Sequence, residues 1–294
     1  MTSGILLVDK PGGMTSHDVV ARARRALGTR KIGHAGTLDP MATGLLLLGV
    51  DSATRLLTYL VGLDKEYAAT IRLGVATTTD DAEGETLSET DATGTSTFRI
   101  DRAIAALTGD IEQVPSTFSA IKVDGKRAYA LARAGEEVEL AARPVTISRF
   151  EVLARRDGDG VVDLDVVVEC TSGTYIRALA RDLGAALGVG GHLTALRRTR
   201  IGPFAIGDAV ELDAERLPNA LLTPASVAAQ LFPVANLDAD TVIDLLHGKR
   251  VALAVADAPV VAAVAPSGRL AGLVSVADGR ARVLVNFPSD EVTA

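Results

Sequence analysis

The sequence contains a single cysteine, Cys170, among its 294 residues. One cysteine excludes an intramolecular disulfide and is typical of a cytoplasmic protein. Cys170 ends the alternating run 161–170 on the same side as Val162, Leu164, Val166 and Val168, which indicates a packing role rather than a nucleophile. The four histidines are scattered, and no Cys/His cluster has the spacing of a zinc site. The sequence therefore predicts neither a disulfide nor a zinc centre.

Long apolar runs are also missing. The longest tight cluster, residues 45–50, has the length of a strand and is far from the roughly 18 residues that predict a membrane span. The N-terminal residues show no basic region followed by a long apolar stretch, so no secretory signal is predicted. Hydrophobic residues make up 48% and charged residues 23%, which is typical of a globular protein with one large and one small domain.

The net charge of −7 argues against a nucleic-acid partner when it is taken alone. The charges are unevenly distributed, however. Residues 1–60, 115–134 and 171–202 carry net charges of +3, +3 and +4, whereas residues 61–114 carry −7. A strip assembled from the three basic segments could bind phosphate groups, and solvated helix faces are the alternative interpretation.

Periodicity predicts a mixture of strands and helices. A capping-box pattern at Thr15–Asp18 predicts a helix start, and residues 28–44 are rich in glycine and threonine, which is typical of a loop. Residues 77–97 are polar and acidic, which predicts a long exposed loop. From about Phe232 onward, short apolar runs separated by turn residues indicate a small β-barrel. The other predicted strands are 5–8, 45–50, 66–75, 145–153 and 161–170, and the other predicted helices are 101–108 and 172–187.

The most informative segment is GHAGTLDPMATG at residues 33–44, which contains Asp39 followed by Pro40. Proline disfavours helical geometry at the residue before it and would hold Asp39 extended. An alternative remains open, because aspartate followed by proline is also a common helix start, with the aspartate as the N-cap.

Six segments, in their order, resemble the TruB family of tRNA pseudouridine synthases. The resemblance covers about the first two-thirds of the chain, and the C-terminal part fits the family's PUA-like module more loosely. The segments are DKPGGMTSHDVV (9–20), GHAGTLDPMATGLLLLGV (33–50), KEYAATIRLG (65–74), QVPSTFSAIKVDGKRAYALAR (113–133), SGTYIRALARDLG (172–184) and HLTALRRTRIGPF (192–204).

The resemblance implies a catalytic role for three residues. The catalytic aspartate of the family falls on Asp39, the tyrosine that stacks under the target base falls on Tyr67, and the arginine that pairs with the aspartate falls on Arg177. Without the resemblance, Tyr67 would be interpreted as a core residue of an alternating strand and Arg177 as an exposed helix arginine. The polar segment after Gly74 departs from the family, which usually alternates aspartate and threonine there.

The resemblance also implies a set of residues that contact RNA. His34 would fill space in the T-loop, Leu196 would line the base pocket, and Lys10 would support the active-site loop. Residues 115–143 correspond to a mobile flap that closes over the T-loop. The implied substrate and RNA-binding residues are His34, Lys10, Tyr175, Leu196, Lys122, Lys126 and Arg127, with Arg197, Arg198 and Arg200 as a further cationic cluster.

The chemistry of this family explains the residue types. Pseudouridine is an isomer of uridine, so no redox cofactor or nucleotide is needed, and we expect no cofactor. A carboxylate assists the cleavage of the glycosidic bond, and a paired guanidinium keeps it ionised where it is buried. Whether Asp39 attacks the sugar or the base, or first accepts a proton at the sugar, stays open. The target nucleotide has to be flipped out of its stack, which is cheapest in a strained RNA loop.

The implied fold is α+β. It has a central mixed, mainly antiparallel sheet in a catalytic domain of residues 1–228, followed by a small PUA-like, β-barrel-like domain of residues 229–294. The implied partner is the T-arm of tRNA, with uridine 55 as the target, and we expect a monomer. Two other functions fit the residues: a non-catalytic RNA-binding protein, and an N-glycosidase that passes the sugar to water. A P-loop nucleotidase is not favoured, because no GxxxxGK[ST] pattern is present.

Overall fold

The computed structural model describes residues 3–116 and 140–287, together with the backbone of residues 122–123 and 126–127. The side chains of Lys122, Lys126 and Arg127, and most of the predicted flap, lie outside the described residues. The chain divides into two compact units. The first unit comprises residues 1–40, 44–61 and 203–294, and the second comprises residues 41–43 and 62–202. The predicted domain boundary at 228/229 stays a prediction.

The elements follow one another as an α+β chain, in agreement with the predicted fold class. The strands are β1 Gly4–Lys10, β2 Ile32–Ala35, β3 Thr43–Val50, β4 Lys65–Leu73, β5 Val75–Thr77, β6 Thr86–Glu89, β7 Gly109–Gln113, β8 Lys122–Val123, β9 Lys126–Arg127, β10 Arg143–Asp157, β11 Val162–Cys170, β12 Gly191–Ile201, β13 Phe204–Ala205, β14 Val210–Glu211, β15 Val234–Asn236, β16 Val251–Ala252, β17 Ala258–Val264, β18 Leu270–Ala277 and β19 Arg280–Asn286. The α-helices are α1 Ser16–Leu27, α2 Leu57–Val61, α3 Thr97–Ala106, α4 Ile176–Leu187, α5 Pro224–Leu231 and α6 Ala239–Leu246.

Helix α1 begins where the sequence predicts. Thr15 is the N-cap, and its side chain and that of Asp18 each bond the other residue's backbone N–H, which completes a capping box. The helix ends at Gly28, whose φ of 65° is the left-handed conformation that glycine adopts without strain. Its apolar face buries Val19, Val20 and Ala23 in the core of the first unit. The capping box therefore fixes the start of α1, and the apolar stripe fixes which face packs.

In the first unit, β1 pairs antiparallel with β3 and parallel with β14, and β2 pairs antiparallel with β3. The run Leu45–Leu48 of β3 is fully buried, as expected for a strand covered on both faces. The C-terminal part of this unit forms a five-stranded sheet in the order β15-β17-β18-β19-β16. Its buried side chains form a separate apolar cluster that includes Leu245 of α6 and Val274 of β18. The predicted small C-terminal β-domain is thereby confirmed.

In the second unit, the strands are ordered β12-β4-β11-β10-β7 and all these neighbours pair antiparallel. Strand β4 lies between β12 and β11, and its odd-numbered residues are buried, as the alternation of the sequence predicts. Helix α4 packs on β12. The close approach occurs at Gly184, where an added Cβ would lie 2.2 Å from the backbone of Gly190.

Four sequence predictions need correction. Residues 28–44 are not wholly a loop, because β2 pairs with β3 inside that range. Residues 77–97 are mostly exposed, as predicted, but they are not wholly a loop, because β5 and β6 form a hairpin and α3 begins at Thr97. Two polar residues of this segment, Thr77 and Asp81, are buried, and the Thr77 hydroxyl donates a hydrogen bond to the Asp81 carbonyl. The polar composition of the segment did not indicate this burial. Helix α4 begins at Ile176 rather than at residue 172, because Tyr175 is its extended N-cap, and α3 spans Thr97–Ala106 rather than 101–108.

Candidate active site

The predicted site residues fall in both units of the fold. Those in the first unit are Lys10, His34 and Asp39, and those in the second are Tyr67, Tyr175, Arg177 and Leu196. Within each unit, hydrogen bonds from the backbone and from buried polar side chains hold the predicted residues in place. The pairing of Asp39 with Arg177 stays a prediction.

Asp39 lies in the connection between β2 and β3. Residues 36–42 are coil and bends, and β3 follows directly at Thr43, so the interpretation of Asp39 as a helix N-cap is wrong. Gly36 and Gly44 flank the connection with φ values of 78° and 100°. These conformations are open to glycine and strained for other residues, which explains these two of the three glycines in the motif. Asp39 itself is half-buried.

The residues on either side of Asp39 are tethered to the start of α1 and to the turn after β1. On one side, Ser16 Oγ donates to the Leu38 carbonyl at 3.2 Å and accepts from the Leu38 N–H at 2.9 Å. On the other side, the Pro40 carbonyl accepts from the Gly13 N–H at 2.9 Å. Asp39 and Pro40 thus lie between two fixed carbonyl groups, and the carboxylate projects from a loop whose backbone cannot easily move.

Lys10 forms a third tether of the same loop. It ends β1 opposite Gly44, and its side chain is fully buried. Its ammonium group donates to the carbonyls of Met14 at 2.7 Å, Pro11 at 2.9 Å and Pro40 at 3.3 Å. A buried ammonium needs such acceptors to offset its desolvation. Lys10 therefore holds the Asp39 loop and the turn after β1 together.

His34 lies on β2, one residue before the strand ends and the connection with Asp39 begins. Its ring packs edge to face against the ring of His17 on α1, with centroids 5.4 Å apart and an interplanar angle of 84°. This contact fixes the orientation of a flat, half-buried ring near the loop. His34 therefore lies in a strand and not in the loop predicted for residues 28–44.

Tyr67 occupies the centre of the second unit's sheet. It pairs directly with Val168 of β11 and with Arg198 of β12, and directly paired residues share one face of an antiparallel sheet. Leu196 lies on the same face, because it pairs with Ala69, two residues along β4. Tyr67 and Leu196 are each 7% exposed. The two residues predicted to contact the base are therefore neighbours on one nearly buried face.

Arg198 does not belong to an exposed cationic cluster. Its side chain is fully buried beside Tyr67, so it is not a surface ligand for phosphate. Arg197 and Arg200 lie on the other side of β12, where Arg197 approaches Thr43 Oγ1 at 3.4 Å and Arg200 forms an ion pair with Glu169 at 2.9 Å. Alternation along the strand separates Arg197 from Arg198, and the β-bulge between Arg198 and Arg200 places Arg200 on the same side as Arg197.

Lys65 and Cys170 are two further buried titratable groups at this end of the sheet. They pair directly across β4 and β11. Burial, with the neighbouring charge of Arg198, lowers the pKa of Lys65 from its ordinary value to about 8. Burial raises the pKa of the Cys170 thiol to about 11. A thiol with this pKa stays protonated at neutral pH, which agrees with the packing role predicted for Cys170.

Arg177 is buried on α4 and is not the exposed helix arginine of the alternative interpretation. Its side chain is 4% exposed, and its Nε lies 3.6 Å from the carboxylate of Asp81, which is 6% exposed. Its Nη1 donates to the Thr79 carbonyl at 2.8 Å and to Ser116 Oγ at 3.0 Å. A guanidinium keeps its charge in such surroundings, and its planar fork is held by acceptors on several sides.

Arg181, one turn further along α4, forms an ion pair with Asp80, the residue before Asp81 in the hairpin. Its Nη1 lies 3.4 Å from the carboxylate of Asp80, and its Nη2 donates to the Val114 carbonyl at 2.7 Å. Asp80 has a φ of 59°, a left-handed conformation that is uncommon for a residue other than glycine. Burial raises the pKa of the Asp80 carboxyl above its usual value, while a hydrogen bond from Ser116 and the charges of Arg181 and Arg177 oppose that rise.

The sequence did not reveal three partners of Arg177, which are Thr79, Asp81 and Ser116. Asp80 and Asp81 were visible as a departure from the family pattern, but their segment was interpreted as exposed. The available signal was a pair of adjacent aspartates between threonines, in a chain whose buried arginine would need a carboxylate. Within residues 3–116 and 140–287, no group of His, Cys, Asp and Glu side chains has the arrangement of a metal site.

Proteins of high similarity cover nearly the whole chain. It is 60% identical over 297 aligned residues to the tRNA pseudouridine synthase B of Leifsonia xyli subsp. xyli (strain CTCB07), a match that covers 99% of this chain and 98% of that protein. It is 72% identical over 211 residues to the tRNA pseudouridine synthase B of Nocardia farcinica (strain IFM 10152), covering 72% of this chain and 69% of the relative.

Solved structures resemble the fold. A chain in the structure of an H/ACA RNP bound to a substrate RNA containing 2′-deoxyuridine superposes with a TM-score of 0.71 at 25% identity, covering 99% of this chain and 87% of that one. A chain in the crystal structure of a Cbf5-Nop10-Gar1 complex gives a TM-score of 0.70 at 26% identity, covering 97% and 84%. The α+β pseudouridine synthase fold implied by the sequence is therefore confirmed.

Three family profiles match in succession along the chain. Residues 24–176 match the N-terminal domain of TruB family pseudouridylate synthases, and residues 177–229 match the C-terminal domain of tRNA pseudouridylate synthase B. Residues 232–288 match the C-terminal domain of tRNA pseudouridine synthase II. With 60% identity to a curated relative over almost its full length, the chain belongs to the TruB family of pseudouridylate synthases.

Proposed function

We propose that this enzyme isomerises uridine 55 in the T-loop of tRNA to pseudouridine, with Asp39 as the catalytic carboxylate. The observation that carries the proposal is the tethering of Leu38 and Pro40, the residues on both sides of Asp39, by Ser16, Gly13 and Lys10. A carboxylate that assists glycosidic cleavage has to be held at a fixed position relative to the ribose. The relatives named tRNA pseudouridine synthase B support tRNA as the substrate.

The reaction requires three events at the target nucleotide. The bond between the ribose carbon 1′ and nitrogen 1 of uracil breaks, the free base turns, and a new bond forms between carbon 1′ and carbon 5. Carbon 5 loses its proton and nitrogen 1 gains one, so the product is an isomer and no electrons are exchanged. Asp39 assists the first event, either by forming a covalent adduct or by stabilising positive charge at the sugar.

Arg177 pairs with Asp39 in this proposal and keeps the carboxylate ionised when the flipped nucleotide excludes water. The burial of Arg177 and its contacts with Asp81, Thr79 and Ser116 support this role, because a desolvated guanidinium held in one plane is a strong partner for a carboxylate. Replacement by lysine would keep the charge and lose the planar fork.

Tyr67 and Leu196 hold the freed base while it turns. They lie on the same nearly buried face of the sheet, which supplies a flat aromatic surface and an apolar wall. His34 fills the space that the flipped nucleotide leaves in the T-loop, and its ring is already oriented by His17. Stacking against unpaired bases is the common role of such rings in RNA recognition.

The T-arm of tRNA is bound through its phosphate groups by Lys122, Lys126 and Arg127, with Tyr175 near the RNA and the PUA-like C-terminal domain as a second contact. The uneven charge of the chain supports a basic strip on an acidic protein. A monomeric state and a cytoplasmic location are part of the same proposal.

A tritium-release assay tests the function. A T-arm hairpin labelled at carbon 5 of its uracils is incubated with the enzyme, and label should reach the water as the new bond forms. Asp39→Asn should abolish release and retain most of the RNA affinity. The matched control is Asp159→Asn, an exposed aspartate of the turn between β10 and β11, which should release label like the wild type.

The outcomes separate the alternative functions. Binding of the hairpin without release by the wild type would favour a non-catalytic RNA-binding protein. Free uracil in the product would favour an N-glycosidase. Release that persists in Asp39→Asn would remove the carboxylate from the mechanism.

A further inference from the structure

Ser116 contributes a buried hydroxyl to the surroundings of Arg177. Its side chain is 1% exposed, and its Oγ accepts a hydrogen bond from Arg177 Nη1 at 3.0 Å. Arg177 Nη1 also donates to the Thr79 carbonyl at 2.8 Å, and Ser116 Oγ lies 3.4 Å from that same oxygen. The guanidinium nitrogen, the hydroxyl and the carbonyl therefore form a closed triangle.

The hydroxyl also bonds the hairpin segment. A serine hydroxyl has one proton to donate and lone pairs to accept with, so Ser116 Oγ can accept from Arg177 Nη1 and donate to the Thr79 carbonyl at the same time. Ser116 therefore connects the guanidinium to the backbone of the hairpin segment.

This arrangement fixes the plane of the Arg177 guanidinium. Asp81 approaches Nε, and Thr79 and Ser116 share Nη1, so three acceptors on the edge of one planar group define its rotation. Asp81 and Thr79 belong to the hairpin segment, whereas Ser116 comes from a different part of the chain. Removing the hydroxyl would leave the charge of Arg177 unchanged and release one of the constraints on its orientation.

We propose that Ser116 is a positioning residue for the isomerisation, acting through the orientation of Arg177. The inference rests on the proposed function, because Arg177 matters for turnover only if it serves the catalytic carboxylate. Ser116 is buried beneath Arg177, so its effect should be on the rate of the chemical step and not on RNA affinity.

The inference is tested by measuring the single-turnover rate of tritium release and the affinity for the hairpin in the Ser116→Ala variant. We expect the rate to fall about 10-fold, as for a lost hydrogen bond to a charged group, and the Kd to change less than about 2-fold. Ser116→Thr keeps the hydroxyl and should restore the rate to within about 3-fold of the wild type. The matched control is Ser52→Ala, a serine that is also 1% exposed and whose hydroxyl lies 2.7 Å from Ser3 Oγ, and it should keep the wild-type rate.

A double-mutant cycle with Arg177→Lys separates positioning from a general loss of packing. If Ser116 acts through the guanidinium, Ser116→Ala should lower the rate of the Arg177→Lys enzyme by less than about 2-fold. An equal loss in both backgrounds would overturn the inference, even if the variant is also less stable. An unchanged rate in Ser116→Ala would overturn it and leave the proposed function intact. A wild type that releases no tritium would overturn the proposed function itself.

Discussion

The carboxamide of Gln113 makes two hydrogen bonds with the backbone of Tyr175. Its Nε2 donates to the Tyr175 carbonyl at 3.1 Å, and its Oε1 accepts from the Tyr175 N–H at 2.8 Å. Tyr175 is the N-cap of α4 and has no side-chain cap of its own. Gln113, at the end of β7, is 1% exposed and thereby fixes the start of the helix that carries Arg177.

Gln113→Ala should lower the free energy of unfolding by about 2 kcal/mol, because two backbone groups of Tyr175 lose a buried partner. Urea unfolding measures the change. The control Gln230→Ala removes an exposed glutamine with one long hydrogen bond of 3.4 Å, and it should change stability by less than about 0.5 kcal/mol. Equal effects of the two substitutions would show that the Gln113 contacts contribute nothing specific.

Gly184→Ala should destabilise the protein by about 1–3 kcal/mol, because the added methyl group would overlap the backbone of Gly190 and Gly191. The overlap would push α4 away from β12 and move Arg177 with it. Gly62→Ala is the control, since no atom lies within 4 Å of its added Cβ. Thermal unfolding of both variants tests this prediction. If Gly184→Ala is as stable as Gly62→Ala, the close contact between α4 and the backbone of Gly190 is contradicted.

Lys10→Met should lower the rate of tritium release by about 10- to 100-fold, because small displacements of a catalytic group are costly. The substitution keeps the length of the side chain and removes the three hydrogen bonds that connect β1 to the Asp39 loop. Lys31→Met, at an exposed lysine, is the control and should keep the wild-type rate. A wild-type rate in Lys10→Met would mean that Ser16 and Gly13 suffice to hold the loop.

Stability should depend on pH through Lys65. Its folded pKa of about 8 lies below its ordinary value of 10.5, so the unfolded chain binds more protons between these values. The free energy of unfolding should therefore rise with pH across this window, by about 1 kcal/mol per pH unit. The charged form is penalised at all lower pH values, so Lys65→Met should be more stable than the wild type at pH 7.

The thiol of Cys170 acts in the opposite direction. Its pKa is raised from 9.0 to about 11, so the folded state binds the extra proton and stability falls between these values. Urea unfolding at pH 7 to 10 is therefore compared between Cys170→Ala and the double variant Cys170→Ala/Lys65→Met. If the free energy of unfolding rises with pH by the same amount in both proteins, Lys65 is not the titrating group.

Local patterns predicted the elements that local interactions determine. The capping box of Thr15 and Asp18 and the alternation along β4 could both be seen within ten residues of sequence. The buried turn of the β5–β6 hairpin could not, because Thr79, Asp80 and Asp81 are held by partners about 100 residues away. Leu193 donates to the Asp80 carbonyl, and Arg177 binds Asp81 and Thr79. Nothing in the polar composition of residues 77–97 encodes those contacts.

The residues of the site could likewise be predicted from local motifs, whereas the distant contacts that hold them could not. Asp39, Tyr67 and Arg177 were identified by the ordered motifs, and a motif specifies which residues matter without saying what holds them. The tethers from Ser16 and Lys10 to the Asp39 loop cross 22 and 30 positions of the chain. The hydrogen bond between Arg177 and Ser116 crosses 61. Such pairs form only when the sheet and α4 are assembled, so periodicity and propensity cannot reveal them.

The pairing of β1 with late segments of the chain has a consequence for biosynthesis. Val8 lies beside Val210, and Ile5 exchanges two backbone hydrogen bonds with Leu222, each of 2.9 Å. A ribosome that has released only the first hundred residues cannot complete this edge of the sheet. Contacts of such large sequence separation slow folding. Strand β1, whose last residue Lys10 is bonded to the Asp39 loop, is therefore translated first and receives its last neighbours near the end of synthesis. Until then, its hydrogen-bonding edge is open to aggregation or to chaperones.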